Sequence, residues 1–250
     1  MPLISFIIPA YNEERLLGRT VDAIHQAARA LGDPFEVVVA DDASSDRTAA
    51  IAREHGAQLI SVEFRQIAAT RNAGARAANG EMLVFVDADT IVTAAAVRAA
   101  IAAMRGGAVG GGCAVRFDGR LPLYARVLTV IVVPLYRAIR LASPCFLFCT
   151  REAFSAAGGF DEKLFAAEEI AMSQALRRQG RFVILRDSVT TSGRKLRAYS
   201  GREFLGTLLR LALAGRKSVH QREGLDLWYG ERRADTEPDA PPAVRADRRE

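Results

Sequence analysis

Short, largely apolar runs alternate along the first half of the chain with segments whose apolar residues recur every three or four positions. Residues 3–8, 35–40, 58–62 and 82–86 are such runs, and their length and continuity predict buried strands. Between the first two, Leu17, Val21, Ile24, Ala28 and Leu31 are spaced four, three, four and three, which is one face of a helix. Asp46 or Ser45 caps a helix beginning near Arg47. Residues 71–79 predict a further helix closed by Asn79-Gly80, and residues 94–104 another. Strand–helix alternation of this kind predicts an α/β fold, a mostly parallel central sheet flanked by helices on both faces.

The second half is less regular. Glycines crowd residues 106–112 and lead into a strand over 113–117. Residues 121–141 are apolar and basic with no acid, and Pro134 within them predicts two short amphipathic pieces rather than one helix. A short strand over 145–149 precedes a helix from Arg151; residues 168–179 predict a helix, 182–185 a strand and 204–213 an amphipathic segment. After Gly230 the chain turns to Arg, Asp, Glu, Pro and Ala, and residues 231–250 are expected to be a disordered tail. There is no internal repeat.

Composition narrows the classes. At 250 residues, 50% hydrophobic and 25% charged, the chain has ample material for a packed core and is neither collagen-like nor a coiled coil. Three cysteines are too few for a disulfide framework, which points to a reducing, intracellular setting. Cys145 and Cys149 share a spacing with some metal sites, but no further ligand groups cluster near them. The three histidines form no H-x-x-x-H pattern, which argues against a zinc hydrolase. The N-terminus lacks a basic n-region, and Pro9 interrupts its apolar run, so no targeting peptide is expected. The longest apolar stretch, residues 127–136, is too short to span a bilayer.

Charge is uneven. Residues 177–222 carry twelve Lys or Arg against Asp187 and Glu203, whereas the last twenty residues are close to neutral. A basic half suits an anionic partner or is simply a solvated arginine-rich surface. Its three aromatics, Phe182, Tyr199 and Phe204, do not alternate regularly with the basic residues as a base-stacking surface would, so a nucleic-acid partner is not expected.

The sharpest candidate chemistry is Asp87-Ala88-Asp89 at the end of the fourth strand. Paired carboxylates at a buried strand end need water, cations or a metal to offset their charge. A hard divalent ion takes one or two carboxylates plus substrate phosphates, while the bland alternative is an Asp capping the helix near Ala94. Polar residues also cluster after the first strand (Pro9-Ala10-Tyr11-Asn12-Glu13-Glu14) and the second (Asp41-Asp42-Ala43-Ser44-Ser45-Asp46). In open α/β sheets ligands bind at the carboxyl ends of the strands, so these clusters converge on one pocket.

The ordered set of these blocks, with Arg71-Asn72-Ala73-Gly74 and Gly158-Gly159-Phe160-Asp161-Glu162, resembles the family 2 glycosyltransferases of GT-A type, which invert and need no covalent intermediate. The resemblance runs from about residue 4 to residue 179. It implies a nucleotide-sugar-binding half over residues 1–105 and an acceptor-binding, catalytic-base half over 106–230. It further implies that Pro9, Tyr11 and Glu13 hold the nucleoside and that Asp42 accepts from the base N–H while Asp41 orients the loop. Arg71 is then expected near the diphosphate or base, the alternative being a pair with Asp41 or Asp42. Asp87 is expected at ribose or metal and Asp89 at a divalent metal, Mg²⁺ or Mn²⁺. Glu169 is the candidate general base, with Glu168 as substitute because the pair is Glu-Glu rather than Glu-Asp; the alternative is a solvent-exposed acidic first turn. The segment Ser192-Gly193-Arg194-Lys195-Leu196-Arg197 either closes over the diphosphate or is a surface turn. The polymerising members' Q-x-x-R-W motif is absent, which argues against a processive synthase.

The expected partners are a UDP- or GDP-linked sugar donor and an acceptor hydroxyl, lipid-linked or part of a cell-envelope glycan. Residues 121–141 either pack inside the acceptor half or rest on a membrane, giving a cytoplasmic enzyme that binds anionic bilayers reversibly. The rival readings are a non-catalytic nucleotide-sugar-binding protein and a sugar-nucleotide pyrophosphorylase, although the latter expects a glycine-rich loop that residues 9–12 lack.

Overall fold

The computed structural model describes residues 1–139 and 141–214, together with His220, Arg222, Leu225 and Tyr229. The expected tail, 231–250, lies outside them. The first half alternates β1 (Ile4–Ala10), α1 (Leu17–Arg29), β2 (Phe35–Asp42), α2 (Thr48–Glu54), β3 (Gln58–Val62), α3 (Ile67–Ala77) and β4 (Met82–Val86). Next come β5 (Thr90–Ile91), α4 (Ala94–Arg105), β6 (Gly110–Phe117), α5 (Leu123–Ala138), β7 (Phe146–Thr150) and α6 (Arg151–Ala157). The described elements end with α7 (Glu168–Gln179), β8 (Phe182–Thr191), α8 (Arg194–Ala198) and α9 (Gly201–Ala214).

One sheet runs in the order β3-β2-β1-β4-β7-β6-β8-β5. β1 to β4 are parallel, and the chain crosses over between β1 and β4. β7 is inserted antiparallel to both β4 and β6, while β6 and β8 are parallel. The strand-order reversal at β1 and β4 opens the crevice in which the polar loops gather.

Alternation along the strands builds the two layers of core. Phe6 and Ile8 face α1 and α4 with Leu17, Val21, Val97 and Ile101. Ile7 faces the other way, with Leu83, Phe85, Phe160, Met172 and Leu176. Glycines in β6 let its neighbours approach closely: a Cβ on Gly111 would stand 2.1 Å from the Val183 carbonyl oxygen and 2.5 Å from the Phe148 ring. All three cysteines are buried and free; burial raises their pKa values, that of Cys113 to about 12.

Several boundaries differ from the sequence expectation for local reasons. α3 starts at Ile67 rather than residue 71, because the Gln66 side chain accepts from the Ala69 N–H and caps it. α4 is capped by Thr93 rather than an aspartate. β8 extends to Thr191, pairing with both β6 and β5. Pro134 does not divide α5, which runs unbroken over 16 residues. Pro134 lies on its exposed side, where the carbonyl that loses its helical donor has solvent beside it.

Candidate active site

The loops after β1 and β2 are bound to each other. The Asn12 N–H donates to Ser44 Oγ at 2.9 Å, the Ser45 N–H to Asn12 Oδ1 at 2.8 Å, and the Glu13 N–H to Thr48 Oγ1 at 2.7 Å. Asn12, Ala43 and Arg65, just past β1, β2 and β3, all have positive φ, at 50°, 57° and 51°. Such strain clusters where a crevice is shaped for a ligand. Pro9 is buried within β1, and one face of the Tyr11 ring is covered by the Arg65 guanidinium, 3.4 Å from its centroid.

The two strand-end aspartates differ in their hydrogen bonding. Asp42 accepts from the backbone N–H groups of Phe64 (2.7 Å), Arg65 (2.8 Å) and Gln66 (3.1 Å) and from Thr70 Oγ1 (2.9 Å). A carboxylate has about four lone-pair sites, so Asp42 is saturated by the loop after β3 and holds that loop rather than a nucleotide base. Asp41 points to the other side of β2, and its Oδ1 is buried with no hydrogen-bond partner among the described residues. A buried acceptor of this kind needs a donor that the described residues do not supply, such as water or a ligand.

Arg71 also differs from the expectation. Its side chain is only 2% exposed and reaches neither Asp41 nor Asp42 nor open solvent. Nη2 lies 2.7 Å from Asp87 Oδ1 and 3.0 Å from the Pro144 carbonyl, and Nη1 lies 2.7 Å from Glu168 Oε1. Burial opposes its charge, but Asp87 and Glu168 outweigh burial and raise its pKa further. Arg71 therefore joins β4 to α7 from within, its two terminal nitrogens taken up by Asp87, Glu168 and the Pro144 carbonyl.

The acidic pair opens α7 and is buried, not a solvated first turn. Ala167, at φ 62°, swings the chain so that both carboxylates enter the crevice at the helix N-terminus. The preceding loop is fixed to α3. Asn72 exchanges hydrogen bonds of 2.9 Å with the backbone N–H and C=O of Phe160, and the Gln66 amide donates to the carbonyls of Glu162 and Leu164. Gly159, at φ 78°, is required there because a Cβ would come 2.9 Å from Asn72 Oδ1. Thus Gly158-Gly159 end α6 and seat the loop. With Glu168 held by Arg71, Glu169 has no salt bridge among the described residues. Burial, then the Glu168 charge, push its carboxyl up to about 8.

Asp89 sits across the crevice. Its Oδ1 accepts from Thr191 Oγ1 at 3.2 Å, and its Oδ2 lies 3.3 Å from Arg194 Nη2. The same Nη2 lies 2.5 Å from Glu13 Oε1. Arg194 thus bridges the β1 loop and the Asp87-Ala88-Asp89 turn from the start of α8. It was legible in the sequence only as part of a basic segment. Asp118 anchors that segment, accepting from the Gly193 N–H at 2.7 Å and from Arg197.

Asp89 and Asp87 fit a hard divalent cation by their oxygen donors, and the cationic Arg194 already rests against Asp89. Among the described residues no group of three or more His, Cys, Asp or Glu is arranged to hold a metal. One or two carboxylates with substrate phosphates is the pattern in which Mg²⁺ binds.

The profile of glycosyl transferase family 2 matches residues 5–154, which carry β1 to β7 and most of these loops. The chain belongs to glycosyl transferase family 2. It is 37% identical over 131 residues to validoxylamine A glucosyltransferase of Streptomyces hygroscopicus subsp. jinggangensis (strain 5008), covering 49% of this chain and 31% of that protein. It is 37% identical over 95 residues to undecaprenyl-phosphate 4-deoxy-4-formamido-L-arabinose transferase of Pseudomonas paraeruginosa (strain DSM 24068 / PA7), covering 35% and 28%. The matched regions are thus under a third of these family 2 relatives' length.

Two solved structures share the GT-A fold. The mannosyltransferase PcManGT from Pyrobaculum calidifontis, in complex with GDP-Man and Mn²⁺, superposes with a TM-score of 0.62 at 21% identity, covering 89% of this chain and 65% of that one. Glucosyl-3-phosphoglycerate synthase from Mycobacterium tuberculosis, in complex with Mn²⁺, UDP and glucosyl-3-phosphoglycerate, gives 0.56 at 23% identity, covering 88% and 80%. The expected α/β architecture, mostly parallel with helices on both faces, is the one found.

Proposed function

We propose that this family 2 chain transfers a glycosyl group, with inversion, from a UDP- or GDP-linked sugar to an acceptor hydroxyl. The observation that carries this reading is the inequality of the two acids: Glu168 is tied to Arg71 at 2.7 Å, and Glu169 alone is left to exchange a proton. A carboxyl pushed up to about 8 is a strong proton acceptor in its ionised form. Glu169 accepts the acceptor's proton as that oxygen attacks the anomeric carbon from the face opposite the leaving group. One displacement inverts the configuration, and no nucleophilic side chain is required.

The donor fits the other wall. Asp41 accepts from the nucleotide base through its orphan oxygen, and Tyr11, Glu13 and Pro9 shape the loop beside the nucleoside. Arg71 keeps Asp87 and Glu168 in register, so the donor and acceptor walls are braced by one guanidinium. Asp89, with Asp87, would hold a divalent cation. When bound, that ion supplies charge neutralisation of the diphosphate leaving group. The two solved structures are complexes with Mn²⁺ and with GDP-Man or UDP, which supports these choices. An undecaprenyl-phosphate transferase among the relatives favours a lipid-carried acceptor and work at the cytoplasmic face of a membrane. A non-catalytic nucleotide-sugar-binding protein has no use for a proton acceptor of this kind.

The test is a thermal-shift screen of UDP- and GDP-sugars with Mn²⁺, followed by donor turnover. A bound donor raises Tm by mass action. A donor that stabilises the chain and is consumed supports the proposal; stabilisation without turnover across acceptors favours the binding-protein reading.

A further inference from the structure

Helix α5 presents one apolar face to solvent. Leu123, Val127, Val130, Ile131, Leu135 and Ile139 recur at spacings of four, three, one, four and four, and they are 45–75% exposed. Soluble monomers seldom expose a contiguous aliphatic stripe of this length. The helix is nonetheless seated on its other side. Ala125 is fully buried, and the Tyr124 hydroxyl donates to the Leu196 carbonyl at 2.5 Å and the Tyr199 carbonyl at 3.0 Å. The Tyr124 ring lies 6.2 Å from Phe204 of α9, where Leu205 adds another exposed aliphatic. The alternative of complete packing inside the acceptor half therefore does not hold for this face.

Charge selects the occupant. From residue 119 to residue 151 the chain has five arginines and no acid, and Arg120 and Arg126 are exposed beside the stripe. A second copy docking by two-fold symmetry would bring like-charged arginine rims together. An anionic lipid surface matches both parts, taking the aliphatics into the acyl boundary and the arginines at its phosphates. Among the described residues no helix is long and apolar enough to cross a membrane.

We infer that α5 lies in the plane of an anionic bilayer, with its Leu123–Ile139 stripe submerged, and that the acceptor is an amphiphile presented from that bilayer. The inner side of the same helix carries Tyr136, whose phenol is pushed to about 12 by burial and by the Glu169 and Glu168 charges. Just past α5, Arg177 Nη1 donates to the Ile139 carbonyl at 3.0 Å, so the docking helix is tied to α7, the helix that opens with the acidic pair. Docking stands on the helix alone; the statement about the acceptor rests on the glycosyltransferase reading.

The experiment is sedimentation of the full chain with vesicles of phosphatidylcholine alone and vesicles containing phosphatidylglycerol, at low and high salt. The wild type is expected to sediment with the anionic vesicles at low salt and less at high salt. The variant Val130→Asp/Ile131→Asp, altered only at exposed positions, should lose about tenfold or more of that binding, the effect of removing two submerged side chains. Its donor-induced thermal shift should be retained. No sedimentation with anionic vesicles at low salt, or equal sedimentation of the variant, overturns the inference. So does a dimer in analytical ultracentrifugation that the same variant dissociates, since a second copy would then cover the face. Vesicle binding without any nucleotide-sugar response would strike the proposed activity and leave the docking surface standing.

Discussion

Arg71 Nη1 lies 2.7 Å from Glu168 Oε1, inside the protein, which leaves Glu169 as the acid of the α7 pair with no salt bridge among the described residues. The same guanidinium holds Asp87, so one buried cation ties β4 to α7. Breaking a buried ion pair by removing one partner leaves uncompensated charge and costs about 3–5 kcal/mol. Arg71→Met should lower unfolding stability by about that amount in urea titration, with the slope of the transition unchanged. A loss comparable to an ordinary surface substitution would remove Arg71 from its place as the brace.

The raised carboxyl of Glu169 sets a pH dependence. The base must be deprotonated, so kcat/KM should rise with pH through an apparent value near 8 in the free enzyme. The Glu168 charge is one of the causes of that value. Glu168→Gln should therefore shift the rising limb to lower pH, even as it weakens the Arg71 brace. A limb that stays in place would show that Glu168 does not act on the titrating group.

Stability should run the opposite way. Glu169 is protonated more readily when folded, at about 8, than in the unfolded chain, near 4.5. Its contribution is fully present below about 4.5 and is lost as pH rises through 8. Glu169→Gln removes this dependence, and its Tm should exceed that of the wild type at pH 9 by more than it does at pH 4. Parallel Tm–pH curves for the two proteins would contradict the buried, raised carboxyl.

Much of this arrangement was legible in the sequence, and the remainder depended on distant contacts. Continuous apolar runs located β1 to β4, and the polar residues after them marked the crevice, because strand period and loop polarity are local properties. The Asp87-Ala88-Asp89 turn is legible for the same reason, whereas the glutamate pair stands out only through the family resemblance, its residues alone allowing a solvated first turn. Arg71 is expected near the diphosphate or base, or paired with Asp41 or Asp42, and no local pattern discloses its partner Glu168, 97 positions away. Adjacent strand residues face opposite sides, and only the loop after β3 shows that the Asp42 carboxylate is already filled by donors of the chain itself. Pro134 suggested a break in α5 that its exposed position does not require.

Arg194 occupies one oxygen of Asp89 and one of Glu13, where a divalent cation must compete with it. Arg194→Ala should therefore bind Mn²⁺ more tightly than the wild type in the absence of nucleotide, by calorimetric titration or the loss of free Mn²⁺ resonance signal. Asp89→Asn should bind it more weakly in either background. Equal Mn²⁺ affinity in wild type and Asp89→Asn would remove Asp89 from the metal assignment.

Ala167 holds a positive φ of 62° immediately before the acidic pair. A side chain in this region costs about 1–2 kcal/mol, and glycine escapes that cost while adding about 0.5–1 kcal/mol of unfolded-state entropy. Ala167→Gly should keep or slightly raise stability, whereas Ala167→Val should lower it and reduce turnover by misplacing Glu169. Chemical unfolding alongside donor turnover checks both; a Val variant with wild-type stability would show that the turn relaxes freely.

The most direct test measures donor affinity and donor turnover together, for wild type and Glu169→Gln, with the nucleotide sugar that gives the largest thermal shift. Glu169→Gln should bind that donor with near wild-type Kd and turn it over about 10²–10⁴-fold more slowly, the usual contribution of a general base. Wild-type turnover by Glu169→Gln, at unchanged Kd, would contradict the account.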